Sequence, residues 1–331
     1  TGPALWQGVY IALIGWVLIA ATIPLAGPVF RLVGHAPSVQ VQEVIYFQIL
    51  GLGAGPFIAS YALSGFFSGR GRTWPVMWVN IATTAVNLVL DYAMIFGRWG
   101  FPEMGIVGAG IATVIAGVFS LVTFIALLAI GDNNRQYRTI SGWRLEPELF
   151  KRLMRFGLPS GVQFFLEIAG FTGFVLIVGR LGTIELAATN IAININTLAF
   201  MPMIGCGIAI SVLVGQYVGA NQPELAHKSA YSGFHLAFCY MAAIAAAYVF
   251  LPNIFIAPFA HKADPETFAQ IYEYGVILLR FVALYSLFDT LNLIFTSAIK
   301  GAGDTRFVMI STVVLSVVVL IVPVYFVVVV W

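Results

Sequence analysis

The chain has 331 residues and a formal net charge of only +2, with 60% hydrophobic and 9% charged side chains and a mean hydropathy of +0.95. Soluble domains carry about 25% charged residues, so a chain this apolar could not cover itself with polar surface. The composition therefore excludes an ordinary soluble protein and predicts a multi-pass protein of the cell membrane. The small net charge gives no reason to expect a nucleic-acid partner.

Nine apolar stretches are each long enough to cross a bilayer as a helix, which takes about 20 residues. Runs such as IAGVFSLVTFIALLAI do not alternate between apolar and polar residues, so they favour helices over the strands of a membrane barrel. We therefore predict an all-α polytopic fold. The predicted spans, in chain order, cover residues 7–30, 44–67, 76–96, 106–131, 153–178, 186–215, 229–256, 271–298 and 307–331.

The basic residues predict how the spans are oriented. If the spans alternate strictly, most of the 16 Lys and Arg residues fall on one side of the membrane, and Arg70 and Arg72 are among them. This side should be cytoplasmic. The long polar connection at 131–153 separates four spans from five. We therefore predict an N-terminal lobe at 1–131, a cytoplasmic linker at 132–151 and a C-terminal lobe at 152–331.

Two predicted turns repeat each other in sequence. SGFFSGRGRTWPVM at 64–77 and TSAIKGAGDTRFVM at 296–309 share two Gly, a Thr and a Val-Met pair at a constant shift of 232 residues (301 minus 69). Internal repeats in transporters commonly relate two halves of a helical bundle around a central site. The same shift leaves three spans without a counterpart. We therefore expect a truncated version of a twelve-span protein with two six-span lobes, in which two N-terminal spans and one C-terminal span are missing.

Three acids lie inside apolar spans: Asp91, Glu167 and Asp289. A charge at the bilayer centre costs about 2.5–3.5 kcal/mol on insertion scales, so such residues usually face a cavity or a partner. The nearest basic neighbours of Glu167 and Asp289 along their own spans lie about 13–20 Å away. Burial favours a protonated carboxyl group, and a bound cation favours the ionised one. Such a group can exchange a proton for Na⁺ or for a cationic substrate, which is the physical basis of antiport.

Polar residues accompany each acid on the same helical face. Gln163 precedes Glu167 by four residues, and Asn87 precedes Asp91 by four. Four further residues complete these polar sets: Tyr285 and Asn292 beside Asp289, and Asn190 and Asn194 on the span after Glu167. The Asn87–Asp91 pair could ligate a small cation or share a proton. The alternative is that the amides only hydrogen-bond neighbouring helices.

Four segments of the chain resemble the multidrug and toxic compound extrusion (MATE) transporters. They are NLVLDYAMIFGRWGFPEMGIVGAGIAT (87–113), the GLPSG segment through Glu167 (157–167), SVLVGQYVGANQPELA (211–226) and IKGAGDTR (299–306). The resemblance extends over nearly the whole chain and implies twelve helices in two six-helix lobes. It also implies export of organic, often cationic compounds across the cytoplasmic membrane, driven by Na⁺ or H⁺ influx.

The same resemblance implies roles for individual residues. Glu167 and Asp289 match acids on the family's seventh and tenth helices that serve cation coupling. Asn87, Asp91 and Thr113 match a first-lobe set that works with an Asp on the family's first helix. That Asp has no match in this chain, so we expect the first-lobe site to be incomplete. A Na⁺ ion would then bind at Asn87 and Asp91 or at Glu167 and Asp289.

Three other interpretations of the sequence stay open. A flippase for lipid-linked precursors, from the same broad superfamily, would favour several basic residues along its cavity, and almost none lies mid-span here. A membrane-embedded enzyme would need paired His, a Cys nucleophile or metal-ligand spacing, and Cys206 and Cys239 both lie in apolar runs. A non-functional remnant is the third alternative. We prefer a non-enzymatic, monomeric antiporter with no cofactor beyond its coupling ion.

Overall fold

A computed structural model describes residues 2–33, 36–130, 133–137, 139, 141–178, 182–262 and 265–315. Within these ranges the regular structure is helical, which confirms the predicted all-α class. Two short 3₁₀ segments, Ile23–Leu25 and Ala257–Lys262, join neighbouring helices. The helices described are α1 (Gly2–Thr22), α2 (Ala26–Val33), α3 (Pro37–Ser68), α4 (Thr73–Ile95), α5 (Ile106–Ala129), α6 (Asn133–Tyr137), α7 (Pro147–Val178), α8 (Thr183–Gly219), α9 (Pro223–Phe250), α10 (Pro252–Ile256), α11 (Pro265–Gly301) and α12 (Thr305–Leu315).

Eight of the predicted spans are confirmed. The helical segments in the described residues that are long and apolar enough to cross a membrane are Gly2–Arg31, Pro37–Ser68, Thr73–Ile95, Ile106–Ala129, Pro147–Val175, Ile184–Gly219, Pro223–Phe250 and Phe268–Gly301. Most of them run longer than the predicted spans, because the helices continue with polar residues beyond the apolar stretch. The ninth predicted span, 307–331, is described only as part of α12, up to Leu315, and its remainder lies outside the described residues.

Large apolar side chains point outward from these helices. Leu18, Leu88 and Phe250 are 64%, 69% and 79% exposed. Soluble monomers rarely expose contiguous apolar surface, whereas a helix in hydrocarbon does so without cost. The exposed apolar faces are therefore those expected of helices that contact lipid.

Two compact units divide the chain, Thr1–Met154 (unit 1) and Arg155–Trp331 (unit 2). The division falls within α7, a few residues after the predicted end of the linker at residue 151. In unit 1, α3 packs against both α1 and α5, and α4 packs against α5. Gly53 lets α3 and α5 approach closely, since a Cβ at this position would collide with the side chain of Val114.

The connection between α5 and α7 is bound to the first helix of unit 1 through three side chains of α1. Trp6 Nε1 donates a hydrogen bond to the Thr139 carbonyl at 2.8 Å, and Gln7 Nε2 donates to the Arg144 carbonyl at 3.1 Å. The Tyr10 hydroxyl donates to the carbonyl of the neighbouring residue 143. Because Gln7 is fully buried, this part of the predicted linker is a docked segment of unit 1.

Arg70, in the turn after α3, makes a second attachment to the same connection. Its guanidinium carbon lies 4.8 Å from the ring centre of Phe66 and 4.1 Å from that of Tyr137. Its Nη1 atom also donates a hydrogen bond to Asn133 Oδ1 at 3.3 Å. Cation–π contacts of this kind contribute about 0.5–2 kcal/mol, so they hold α6 against the end of α3.

Unit 2 is built around α8, α9 and α11, which pack against one another. Met203, Met241 and Ile294 form its most deeply buried contacts. Two Tyr residues of α9 reach across to α8: Tyr240 Oη donates to the Ala199 carbonyl at 3.1 Å, and Tyr248 Oη donates to a carbonyl one turn earlier. These bonds fix the position of α9 relative to α8 along their length.

The two turns that repeat in sequence also share one backbone geometry. Helices α4 and α12 begin at Thr73 and Thr305, which are separated by the same 232 residues (305 minus 73). Gly71 and Gly303 both adopt the left-handed conformation, with φ of +72° and +98°. The Arg72 amide bonds the carbonyl five residues before it at 3.0 Å, and the equivalent amide of the second turn does so at 3.1 Å. Each turn is therefore a Schellman-type helix end that needs Gly at one position.

We predict that Gln7→Ala releases the connection between α5 and α7. The substitution removes the donor to the Arg144 carbonyl inside a buried site, which costs about 1–3 kcal/mol. Trypsin cleavage after the exposed Arg144 should accelerate about tenfold, because local opening exposes this segment. Gln48→Ala, at an exposed position of α3, is the matched control and should cleave as the parent does. Equal cleavage rates in all three proteins would contradict this role of Gln7.

Candidate functional site

Glu167 lies on α7 and is held by a residue of the same helix. Gln163 Nε2 donates a hydrogen bond to Glu167 Oε1 at 2.7 Å, as the four-residue spacing predicts. Gln163 is buried, whereas Glu167 is exposed to the space beside the helix. The helix continues through Pro159, so this proline does not break it. Arg180, one of the basic neighbours considered from the sequence, lies outside the described residues.

Asp289 is held in a similar way on α11. Tyr285 Oη donates to Asp289 Oδ2 at 3.0 Å, and the side chain of Asn292 also faces this carboxylate. Asn292 Oδ1 in turn accepts a hydrogen bond from Thr296 Oγ1 at 3.2 Å. Each carboxylate of unit 2 therefore has a neutral donor four residues before it on its own helix, and neither is paired with a basic residue of that helix.

A cavity of about 1120 Å³ brings these groups to one place in unit 2. Its walls come from α7, α8, α11 and the described part of α12, with Glu167 on α7 and Tyr285 on α11. Asp289 does not itself line the cavity, but it accepts a hydrogen bond from Tyr285, which does. The rest of the wall is mainly apolar and includes four phenylalanines: Phe171, Phe174, Phe281 and Phe288.

Helix α8 contributes Asn196 and Thr197 to this cavity. Asn196 Oδ1 is buried without a hydrogen-bond partner among the described residues. Asn190 and Asn194, the amides singled out from the sequence, lie at exposed positions of α8 and do not line the cavity. The sequence reasoning missed Asn196 because a polar stripe does not show which side of a helix faces a cavity. The one sequence feature that could have pointed to Asn196 is the close spacing of two amide residues in AININTLAF.

Lys300 is a second residue that the sequence reasoning missed. It lies at the end of α11, half-buried, and its ammonium group is within the range of the Glu167 charge. The two residues are far apart in sequence, so no spacing rule relates them.

Two of the three residues predicted for unit 1 line a smaller cavity of about 310 Å³ between α3, α4 and α5, and Asp91 does not. Asn87 on α4 and Thr113 on α5 both line it, and Thr113 Oγ1 donates to the carbonyl four residues earlier on its own helix at 2.9 Å. Asp91 lies one helical turn beyond Asn87. Asn87 Nδ2 and Asp91 Oδ1 are buried and have no hydrogen-bond partner among the described residues.

The donor chemistry of both cavities is that of oxygen ligands for a hard cation or of proton carriers. Carboxylate, amide and hydroxyl oxygens suit hard cations, whereas transition metals favour imidazole and thiolate. In the part of the chain that the structure describes, no group of three or more His, Cys, Asp or Glu side chains could hold a metal ion. The residues present fit a monovalent cation or a proton shared between one carboxylate and neutral donors.

Comparisons with known proteins identify the family of the chain. The MatE family model matches residues 2–93 and 159–326. The probable multidrug resistance protein NorM of Mesorhizobium japonicum is 30% identical over 310 residues, which cover 92% of this chain and 65% of that protein. The protein of the same name from Pseudomonas putida is 31% identical over 281 residues, covering 84% and 60%. The chain thus spans less than two thirds of the length of these curated relatives.

Solved structures share the fold. A MATE structure in complex with MaL6 has a TM-score of 0.84 at 19% identity, over 94% of this chain and 68% of the other. A transporter of the MOP superfamily from Pyrococcus furiosus, described as having a binding pocket of reverse polarity, has a TM-score of 0.81 at 20% identity over the same shares. At this level of identity the similarity establishes the architecture.

The apolar helices and the shared architecture define an all-helical, multi-pass membrane protein. More particularly, the chain belongs to the MatE family, whose model matches more than half of its residues.

We predict that Asn196→Leu weakens ligand binding without lowering the stability of the protein. Leu has a similar size and removes a buried acceptor that has no protein partner, so the melting temperature should stay equal or rise. We expect tetraphenylphosphonium to raise the melting temperature of the parent and not that of Asn196→Leu, since ligand stabilisation follows affinity. Thermal unfolding in detergent, with and without this cation, measures both effects. Asn190→Leu, on the exposed side of α8, is the control and should keep the ligand response. A lower melting temperature with an intact ligand response would contradict the assignment.

Proposed function

We propose that the protein is a secondary active antiporter that exports organic, often cationic compounds in exchange for Na⁺ or H⁺. Membership of the MatE family and the multidrug resistance named for its relatives support the transported class. Alternation between inward-open and outward-open states would couple the two fluxes, as in other transporters built from repeats.

The observation that carries the proposal is the placement of Glu167 on the wall of an aromatic cavity in unit 2. Its neutral partner Gln163 satisfies one oxygen and leaves the other available to a cation or a proton. The Tyr285–Asp289 pair offers a second carboxylate with the same property. Antiport requires that the exported cation and the coupling ion exclude each other, and a shared carboxylate achieves this directly.

The size and lining of the cavity fit the proposed substrates. Ligand pockets for drug-sized molecules have volumes of about 300–1,000 Å³, and this cavity measures about 1120 Å³. The phenylalanine faces attract organic cations through cation–π contacts and apolar burial, neither of which requires one exact shape. Recognition of many different lipophilic cations follows from such a wall.

In unit 1, Asn87, Asp91 and Thr113 supply the oxygen ligands for a second coupling-ion site. The unpartnered buried atoms of Asn87 and Asp91 support this assignment, since buried polar atoms in folded proteins normally find partners. A coupling ion, or a water bound with it, would provide the partner for Asp91.

A flippase for lipid-linked precursors is the nearest alternative in the same superfamily. Its anionic headgroups would call for basic residues, and the residues that line the described cavity of unit 2 include Glu167 and no Lys or Arg. Transport of an anionic lipid with no effect of Glu167→Gln would favour this alternative.

We predict that Glu167→Gln and Asp289→Asn each abolish gradient-driven export. The neutral amides keep the shape of the side chains but can release neither a proton nor Na⁺, so efflux should fall to the level of empty liposomes. Ethidium efflux from proteoliposomes under a Na⁺ gradient, and separately under a proton gradient, measures the loss and identifies the ion. Glu273→Gln, at an exposed position of α11, is the control and should transport as the parent does. Parent-like efflux in both acid variants would contradict the proposal.

We predict that Lys300→Met strengthens binding of the coupling ion. The nearby ammonium charge opposes a cation at Glu167, and its removal should lower the half-saturating concentration of the coupling ion about threefold to tenfold. Lys300→Arg keeps the charge and should behave as the parent does. An unchanged or higher half-saturating concentration in Lys300→Met would show that this residue does not act on Glu167.

A further inference from the structure

The cavity of unit 1 extends well beyond the residues assigned to ion coupling. Asn87 and Thr113 occupy one end of it, and seven further hydroxyl and amide residues line the remainder: Ser60, Tyr61 and Ser64 of α3, Asn80, Thr83 and Thr84 of α4, and Ser120 of α5. None of the described residues that line this cavity carries a charge. The coupling-ion site therefore explains one end of a longer polar compartment.

The polar groups in this compartment have unused hydrogen-bonding capacity. Thr83 Oγ1 is buried and has no partner among the described residues, as is the case for Asn87 Nδ2. The hydroxyls of Ser60 and Thr84 donate to carbonyls of their own helices at 2.8 and 2.9 Å, which leaves their oxygen lone pairs free to accept. A cavity of about 310 Å³ that holds several such groups among its apolar wall residues has room and partners for a chain of water molecules.

The unpartnered atoms follow one face of α4. Thr83, Asn87 and Asp91 succeed one another at intervals of four residues, so their side chains lie in a row along the helix. Measured from the start of α4 at Thr73, Asn80 lies about 10 Å along the axis and Asp91 about 27 Å. The compartment thus begins one helical turn short of Asp91 and runs toward the turn that carries the basic residues predicted to be cytoplasmic.

We infer that this compartment is the water-filled inner part of an ion route, through which the coupling ion passes from Asp91 to the cytoplasm. The inference rests on the proposed antiport and adds its path through unit 1. Conduction requires groups that attract an ion enough to admit it and release it readily. Neutral hydroxyl and amide groups do both, whereas a second carboxylate would trap the ion. Thr83 is a positioning residue on this route, since it orders the water next to Asn87.

Accessibility to water is the first test. In a background with Cys206→Ser and Cys239→Ser, Thr83→Cys should react with a membrane-impermeant methanethiosulfonate reagent added to the cytoplasmic side of inside-out vesicles. Thr123→Cys is the matched control, because Thr123 does not line the cavity and bonds the carbonyl of its own helix at 2.7 Å. We expect Thr83→Cys to react at least about tenfold faster, since the reacting thiolate forms only where water reaches it. Equal or slower reaction at Thr83 would overturn the inference.

Transport kinetics provide the second test. Thr83→Val removes the hydroxyl at nearly constant volume and should slow turnover about tenfold, a change in rate but not in binding. The half-saturating concentration of the coupling ion from the outer side should change less than about twofold, because Asp91 is untouched. Thr83→Ser should restore turnover, and Thr123→Val should behave as the parent does. Full turnover in Thr83→Val would overturn the inference.

Asp91→Asn separates this inference from the proposed function. Suppose that Asp91→Asn exports as the parent does and that Thr83→Cys is labelled from the cytoplasmic side. Asp91 is then not a coupling residue and the compartment is hydrated for another reason. This result overturns the ion route. If Asp91→Asn loses export and Thr83→Val loses turnover, both are supported. Loss of export in Asp91→Asn with parent-like turnover in Thr83→Val retains the coupling site and rejects the route.

Discussion

A carboxylate within the hydrocarbon layer must find a proton, a cation or hydrogen-bond donors, and the rest of this structure follows from that requirement. Gln163 and Tyr285 each donate one hydrogen bond to an acid, at 2.7 and 3.0 Å. Neutral donors stabilise the charge only in part, whereas a salt bridge with Lys or Arg would hold it permanently. The proposed role of Glu167 and Asp289, the uptake and release of an ion, requires this incomplete stabilisation.

The helices around the acids combine close packing with open space. In unit 2, α8, α9 and α11 form a fixed core tied by tyrosine hydrogen bonds, and the cavity opens where α7 faces α8 and α11. In unit 1, small residues such as Gly53 bring α3 and α5 together, and hydroxyl groups line the space left beside α4. Apolar contact therefore supplies the framework, while the few polar side chains are concentrated where water or a ligand can reach them.

Hydropathy and helical spacing predicted the parts of the structure that depend on local sequence. Eight spans follow from apolar length, the Gln163–Glu167 and Tyr285–Asp289 pairs follow from the four-residue period, and the repeated turns follow from matching Gly residues. The contribution of Asn196 could not be predicted, because the phase of α8 relative to the cavity depends on how distant helices pack. The docking of Gln7 on the Arg144 carbonyl and the position of Lys300 near Glu167 likewise join residues more than 100 positions apart.

The central claim is that an organic cation and the coupling ion compete for the carboxylates of unit 2. The most direct measurement is ion release when tetraphenylphosphonium binds to the purified protein in weakly buffered solution, followed by a pH indicator and by a Na⁺ electrode. We predict that about one proton or one Na⁺ is released per bound cation, and that Glu167→Gln releases none. Binding of the organic cation with neither ion released from the parent protein would contradict it.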